Sequence, residues 1–369
     1  LMLLSKTWQL RFWALLVAST SGCSVAPDEQ TLFSDAAASP EGTGQVDASV
    51  RHEIGSGEKE VIDSRPLSTL DNFSSIDADG ALHLVFAERE PYPQALSYAS
   101  NRSGSWTLEV GLLTTGNPYA PARIAADREG HAHIVYTDQL GQRYASNDTG
   151  QWQDGALDGG RSFAFSLTLD AADSPTLAYQ RDESFRLAVR QNGVWQPESI
   201  VEATPNYSNL YINEEGDQRI IYRQESKWYQ ARREDADWTV EALPIPDDTD
   251  SKPSVSVVFD AEGHAHVAYH PGREVTTAIY ATDRSGEWVW EAVGERGEGI
   301  HLAVDSGGNP YLTYSPSNTD LPQLLLLHKE AGGWLSEPVE PVFDIQGSSS
   351  ILIDGNDQVH VFYHTQQAS

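Results

Sequence analysis

The chain has 369 residues, 39% of them hydrophobic, and carries 54 acidic against 24 basic side chains for a formal net charge of -30 at pH 7. So acidic a surface stays soluble and repels polyanions, which excludes nucleic acid as a partner because phosphate binding needs clustered Lys and Arg. A single cysteine, Cys23, excludes both a disulfide framework and a thiolate metal centre.

In chain order, Lys6 and Arg11 flank the start of an apolar segment, Phe12 to Ala18, too short for a membrane-spanning helix and suited to an export signal. It ends at Ser21-Gly22-Cys23, which resembles the lipobox of bacterial lipoproteins, with Thr20 where that pattern usually has Leu. The resemblance implies a signal peptide over 1–22, lipidation of Cys23 as the new N-terminus and, because Ser24 follows it, sorting to the outer membrane. Residues 23–47, rich in Ala, Ser, Gly and Asp after the cysteine, read as a flexible tether.

From residue 48 to the end the chain repeats one phrase seven times: an apolar run, an Asp-led tight turn and a second apolar run ending in an aromatic. The turns begin at Asp77, Asp127, Asp170, Asn213, Asp260, Asp305 and Asp354, a period of roughly 45 residues at which one repeat makes one propeller blade. The expectation is an all-β, seven-bladed β-propeller of four-stranded blades. Third strands are expected to point Tyr98, Tyr144, Leu187, Tyr229, Tyr280 and Leu327 into the gaps between blades. Fourth strands would do so with Trp106, Trp152, Trp195, Trp238, Trp288 or Trp290, and Trp334. The seventh repeat ends after two strands, so Ala48 to Ile54 and Glu58 to Ile62 are expected as its third and fourth strands, closing the ring and removing free sheet edges.

The turn phrase and blade count resemble the sialidase-like, Asp-box or BNR-repeat propellers. Ser75-Ile76-Asp77-Ala78-Asp79-Gly80 carries one residue more between Asp and Gly than the Asp box, and the sialidase signature and arginine triad are absent. The resemblance therefore implies a fold without implying sialidase activity.

Loops after second and fourth strands line the upper mouth of a propeller, where ligands bind without disturbing the ring. The candidate ligand-binding residues there are Phe73, Arg89, Tyr92, Tyr119, Arg161, Tyr207, His270, Arg273 and Glu274. The pairs His131/His133 and His264/His266 have strand spacing for chelation, but His133 and His266 share a repeat position with His83 and His360. That recurrence points to a structural hydrogen bond, so neither a metal nor a cofactor is expected. Motifs for nucleophile elbows, zinc helices and phosphate loops are absent. The sequence thus favours an envelope-anchored, non-catalytic propeller binding a glycan or an envelope protein, held to the membrane by its lipid alone. The alternatives are a polysaccharide hydrolase or lyase with catalytic groups from several blades, and a scaffold subunit of an envelope complex.

Overall fold

The computed structural model describes residues 10–17, 59–62, 72–88, 94–116, 121–157, 165–247, 254–272, 277–295, 297–316, 323–340 and 349–366. These form an all-β propeller of four-stranded sheets. Blade 1 is Asn72–Ile76, Leu82–Glu88, Ala95–Ser100 and Thr107–Thr114, each strand antiparallel to the next. The inner strands of blades 2 to 6 are Ala122–Ala126, Phe165–Leu169, Tyr207–Ile212, Val255–Phe259 and Gly297–Val304.

The turn phrase folds as a hairpin because its leading residue holds the turn. Asp77 Oδ1 accepts the backbone N–H of Asp79 at 3.0 Å and of Ala81 at 2.8 Å. Asp170, Asp260, Asp305 and Asp354 bond the same two positions. A few residues on the chain enters the left-handed region, where glycine has no Cβ penalty. Gly80, Gly130, Gly216, Gly263 and Gly308 fill that place in five turns, and Asp173 and Asp357 fill it in two, each at φ 58°.

The turn Asp also anchors a buried relay. In blades 1, 2 and 5, His83, His133 and His266 place Nδ1 2.7, 2.6 and 2.7 Å from the hydroxyls of Tyr98, Tyr144 and Tyr280. Their Nε2 atoms face Oδ2 of Asp77, Asp127 and Asp260 at 3.3, 3.4 and 3.5 Å. A carboxylate only accepts, so Nε2 carries the proton and Nδ1 accepts from the phenol. His360 repeats the bond to Asp354 at 3.4 Å. The recurring histidine is therefore a structural group, as its repeat position implies.

The remaining aromatics fill the gaps between blades. Tyr98 meets Trp152 of the next blade edge-on at 5.1 Å, as Tyr144 meets Trp195 and Tyr280 meets Trp334. Trp288, not the half-exposed Trp290, holds this place in blade 5. All six third-strand side chains lie in gaps between blades, but two of them face the other neighbour. Val85 opposes Tyr98, and the equivalent Ile221 and Thr313 oppose Gln230 and Leu326. Tyr229 and Leu327 thus face the preceding blade, because one residue of slip turns a strand side chain to the opposite face. Apolar side chains gather in clusters that each bridge two neighbouring sheets around the ring.

Six blades are of the expected kind, four consecutive strands each, rather than seven. The last two strands, Ser350–Ile353 and Val359–Gln366, belong to a further sheet of mixed pairing that takes Leu10–Val17 and then Lys59–Val61 as its outer members. Lys59–Val61 has the outer place and the direction expected of a fourth strand. The third place is held in parallel by Leu10–Val17, within the segment expected to be the export signal, where a meander requires an antiparallel strand. Eight consecutive, largely apolar residues suit a buried strand as well as a signal segment, and periodicity does not separate the two. The expected strand Ala48 to Ile54 and the lipidation site Cys23 lie outside the described residues.

Candidate functional site at the channel mouth

Each inner strand runs from the upper mouth down to its Asp turn, so residues early in these strands line the mouth end of the central channel. Side chains lace neighbouring inner strands together there. Asn209 Nδ2 donates to the Val257 carbonyl at 2.6 Å, and the Val257 N–H donates to the Tyr207 hydroxyl at 3.1 Å. Ser254 and Ser256 accept the N–H groups of Ile300 and Leu302 at 2.7 and 3.0 Å. With its backbone tied in this way, the ring presents side chains from a rigid wall.

Four residues before the turn lies one residue per repeat: Phe73, Arg123, Ser166, Asn209, Ser256, His301 and Ser350. Arg123 is the lone permanent charge in this column. Its guanidinium sits 4.8 Å from the ring centre of Phe73 in blade 1 and 5.7 Å from that of Phe165 in blade 3. It also donates to the Ala122 carbonyl at 2.7 Å. A guanidinium at such distances is held to the aromatic rings by cation–π attraction.

The charge of Arg123 is felt across the channel. His301, in blade 6, is held neutral down to about 4, first by burial and then by Arg123. Burial raises the Tyr207 phenol of blade 4, while Arg123, the Val257 amide and Asn209 pull it down. Among the described residues no carboxylate acts on either group. Phe73, Arg123, Tyr207 and His301 all remain partly accessible. Among the described residues the His301 ring makes no hydrogen bond.

Of the residues named from sequence, Phe73 and Tyr207 stand in this ring. His270 is buried between blades 5 and 6, where its Nε2 accepts the Gly297 N–H at 2.9 Å and its ring lies 6.4 Å from that of Tyr314. The close approach depends on Gly297, since a Cβ there would come 2.3 Å from the Ser315 carbonyl oxygen. Arg89, Tyr92, Tyr119, Arg161, Arg273 and Glu274 lie outside the described residues. Arg123 and His301 were missed, although aligning the repeats on their turn Asp puts both in one column with Phe73.

Two other groupings bear on chemistry. Asp260, Glu262 and His264 bring possible metal-ligand atoms within 4.8 Å of one another. Both Asp260 oxygens are already engaged, Oδ1 by two backbone amides and Oδ2 by the rings of His264 and His266. On the turn side, a cavity of about 510 Å³ is lined by Asp127, Arg128, Asp170, Asp173 and Glu214. The turn side is thus acidic.

No protein-family model and no curated protein matches the chain. Solved structures match over most of its length. A mutant of the Aleuria aurantia lectin in complex with Fucα1-6GlcNAc is 14% identical, with a TM-score of 0.54 over 74% of this chain and 96% of the lectin. An ulvan lyase, a polysaccharide lyase, is 12% identical with a TM-score of 0.55 over 75% and 84%. A streptogramin B lyase is 11% identical with a TM-score of 0.53 over 80% and 91%. At these identities the likeness establishes the propeller fold.

Proposed function

We propose that the chain is a glycan-binding propeller that takes its ligand at the upper mouth of the channel without catalysis. The observation that carries this reading is Arg123 held over the half-buried ring of Phe73, on inner strands that also carry the partly accessible Tyr207 and His301. Stacking faces with a few fixed polar groups are what saccharide recognition requires. Propellers of like fold include a lectin solved with a fucosylated disaccharide and a polysaccharide lyase, and both are compatible with it. The lyase reading has its own support in a neutral imidazole, a phenol and a guanidinium in one channel, whereas a hydrolase needs paired carboxylates. Binding to a panel of neutral and anionic polysaccharides, followed for reducing ends and unsaturated-uronate absorbance, separates them. Binding without product is expected; product release would replace this reading with the lyase, and a blank panel would remove both.

We also propose that the protein is exported and anchored in the bacterial outer membrane through lipidated Cys23. Loss of residues 1–22 would vacate the parallel place held by Leu10–Val17, leaving it to Ala48 to Ile54 in the antiparallel sense that a meander needs. Mass spectrometry of the N-terminal peptide from membranes is expected to find a lipid-modified Cys23. A peptide that still contains Leu10–Val17 would sink the proposal.

A further inference from the structure

We propose that the gap between blades 2 and 3 binds a carboxylate anion at its upper end, on the guanidinium of Arg186 and the phenol of Tyr179. This site is separate from the channel mouth and stands whether or not the mouth takes a glycan.

Blade 2 supplies the template. Tyr136 and Arg143 oppose each other in register, and the Asp154 carboxylate of the same blade binds both. Asp154 Oδ1 accepts from the Tyr136 hydroxyl at 3.0 Å and from Arg143 Nε at 3.1 Å, and Oδ2 accepts from Arg143 Nη2 at 2.6 Å. Asp138 stands 3.5 Å from the same guanidinium. Blade 3 repeats the phenol and the cation and omits both acids. Tyr179 opposes Arg186 as Tyr136 opposes Arg143, but Pro197 takes the place of Asp154 and Arg181 that of Asp138. Arg186 is half-buried, its Nε is buried without a hydrogen-bond partner, and no ion pair reaches it among the described residues. Burial raises the Tyr179 phenol and Arg186 beside it lowers it, with no carboxylate acting there.

The facing wall of blade 2 carries a second unanswered group. Gln142 lies two residues before Tyr144, which packs with Tyr179 across the gap, so both side chains point toward blade 3. Gln142 is 1% exposed, and neither polar atom of its amide has a partner among the described residues. The other five blades of consecutive strands bury Leu96, Phe185, Trp228, Ala278 and Leu324 at this place. An unpaired amide where the repeats otherwise put apolar side chains is costly unless the gap admits a polar group. Guanidinium, phenol and amide all donate to oxygen, and a planar carboxylate matches the guanidinium fork.

The test follows the Arg186 Nε–H resonance in the intact protein, assigned by its loss in Arg186→Lys, as sodium acetate, sodium glucuronate or sodium chloride is added at constant ionic strength. Both carboxylates are expected to shift it saturably and chloride to leave it in place. The stronger carboxylate tells a simple acid from an acidic sugar. Pro197 is exposed on the outer strand of blade 3. Pro197→Asp is expected to put a carboxylate where blade 2 has Asp154 and to weaken the added anions by about tenfold or more. Pro197→Asn, which has the shape without the charge, is expected to leave their affinity unchanged. The proposal is overturned by the absence of a saturable carboxylate shift, by an equal response to chloride, or by a Pro197→Asp chain that binds as the wild type does. A Pro197→Asn chain that loses binding as fully as Pro197→Asp overturns it as well. A positive anion titration with a blank polysaccharide panel would leave this site standing and remove the glycan reading.

Discussion

Acidification below about pH 6.5 is expected to destabilise this propeller steeply, well before its carboxylates titrate. His83, His133 and His266 are buried within their blades, and burial lowers all three, outweighing the Asp bonded to each. His301 is lowered to about 4 by burial and by Arg123. A histidine whose folded value is depressed stays neutral in the native state while its unfolded counterpart takes up a proton. Stability is therefore intact above the unfolded value and falls as pH drops through the window down to the folded one. Each imidazole contributes at most about 1.4 kcal/mol per pH unit inside its own window, so the loss steepens with the number of histidines that titrate together. Asp127 and Asp260 extend the loss below about pH 4. Burial alone would raise them, but the backbone and ring hydrogen bonds of His131 and His133, and of His264 and His266, hold them low. Urea midpoints followed by tryptophan fluorescence from about pH 7.5 to about pH 5 would measure the slope. Replacing His83, His133 and His266 together by Gln, with stability compared only between pH values, is expected to flatten it. A wild-type midpoint independent of pH in that range would remove the argument.

The repeats made most of this legible before any coordinates. A hydrogen-bonding residue that leads each turn needs only to be recognised once, because the period of roughly 45 residues copies it around the ring. Histidine at the same offset in four repeats carried enough information to read it as structural, and the relays to Tyr98, Tyr144 and Tyr280 supply the reason. Third strands were harder. Tyr229 and Gln230 are adjacent in sequence but lie on opposite sheet faces, so Tyr229 fills the gap to the preceding blade while Gln230 takes the place that Tyr98 holds in blade 1. Arg219 settles the register, since it stands in the histidine column and donates to Gln230 Oε1 and to Asp283 of the next blade.

The site was less legible than the fold because search by residue type favoured loops, where polar and aromatic side chains are common. Arg123 and His301 lie within strands, where charge is rare and therefore more informative. His270 shows the opposite error. It follows a second strand, as a mouth residue should, yet its Nε2 is committed to the Gly297 amide and the ring joins two blades. The sheet containing both ends of the described chain was read correctly in its outer strand, Lys59–Val61. Its third place was expected of Ala48 to Ile54, which lies outside the described residues, and Leu10–Val17 holds it in parallel, a direction that no local pattern encodes.

Trp228→Ala is expected to cost about 3–5 kcal/mol and to weaken ligand binding, because this side chain supports the channel wall from behind. Trp228 is 2% exposed and lies 6.2 Å from the ring of Tyr207 and 5.2 Å from that of Tyr269. Truncation would open a cavity behind Tyr207, whose hydroxyl ties the inner strand of blade 4 to Val257 of blade 5. Phenylalanine distinguishes packing from polarity at the same position. The Trp228 indole N–H is buried and has no hydrogen-bond partner among the described residues, so the wild-type chain already bears the desolvation of that donor. Trp228→Phe loses apolar area but also removes the unpaired donor, which offsets about 1–3 kcal/mol. Its net cost should be about 1 kcal/mol, far below that of alanine. Paired urea midpoints for the two variants decide the matter. If phenylalanine proved as damaging as alanine, the indole N–H must have a partner, and Tyr207 would be positioned by that bond instead of by the aromatic packing behind it.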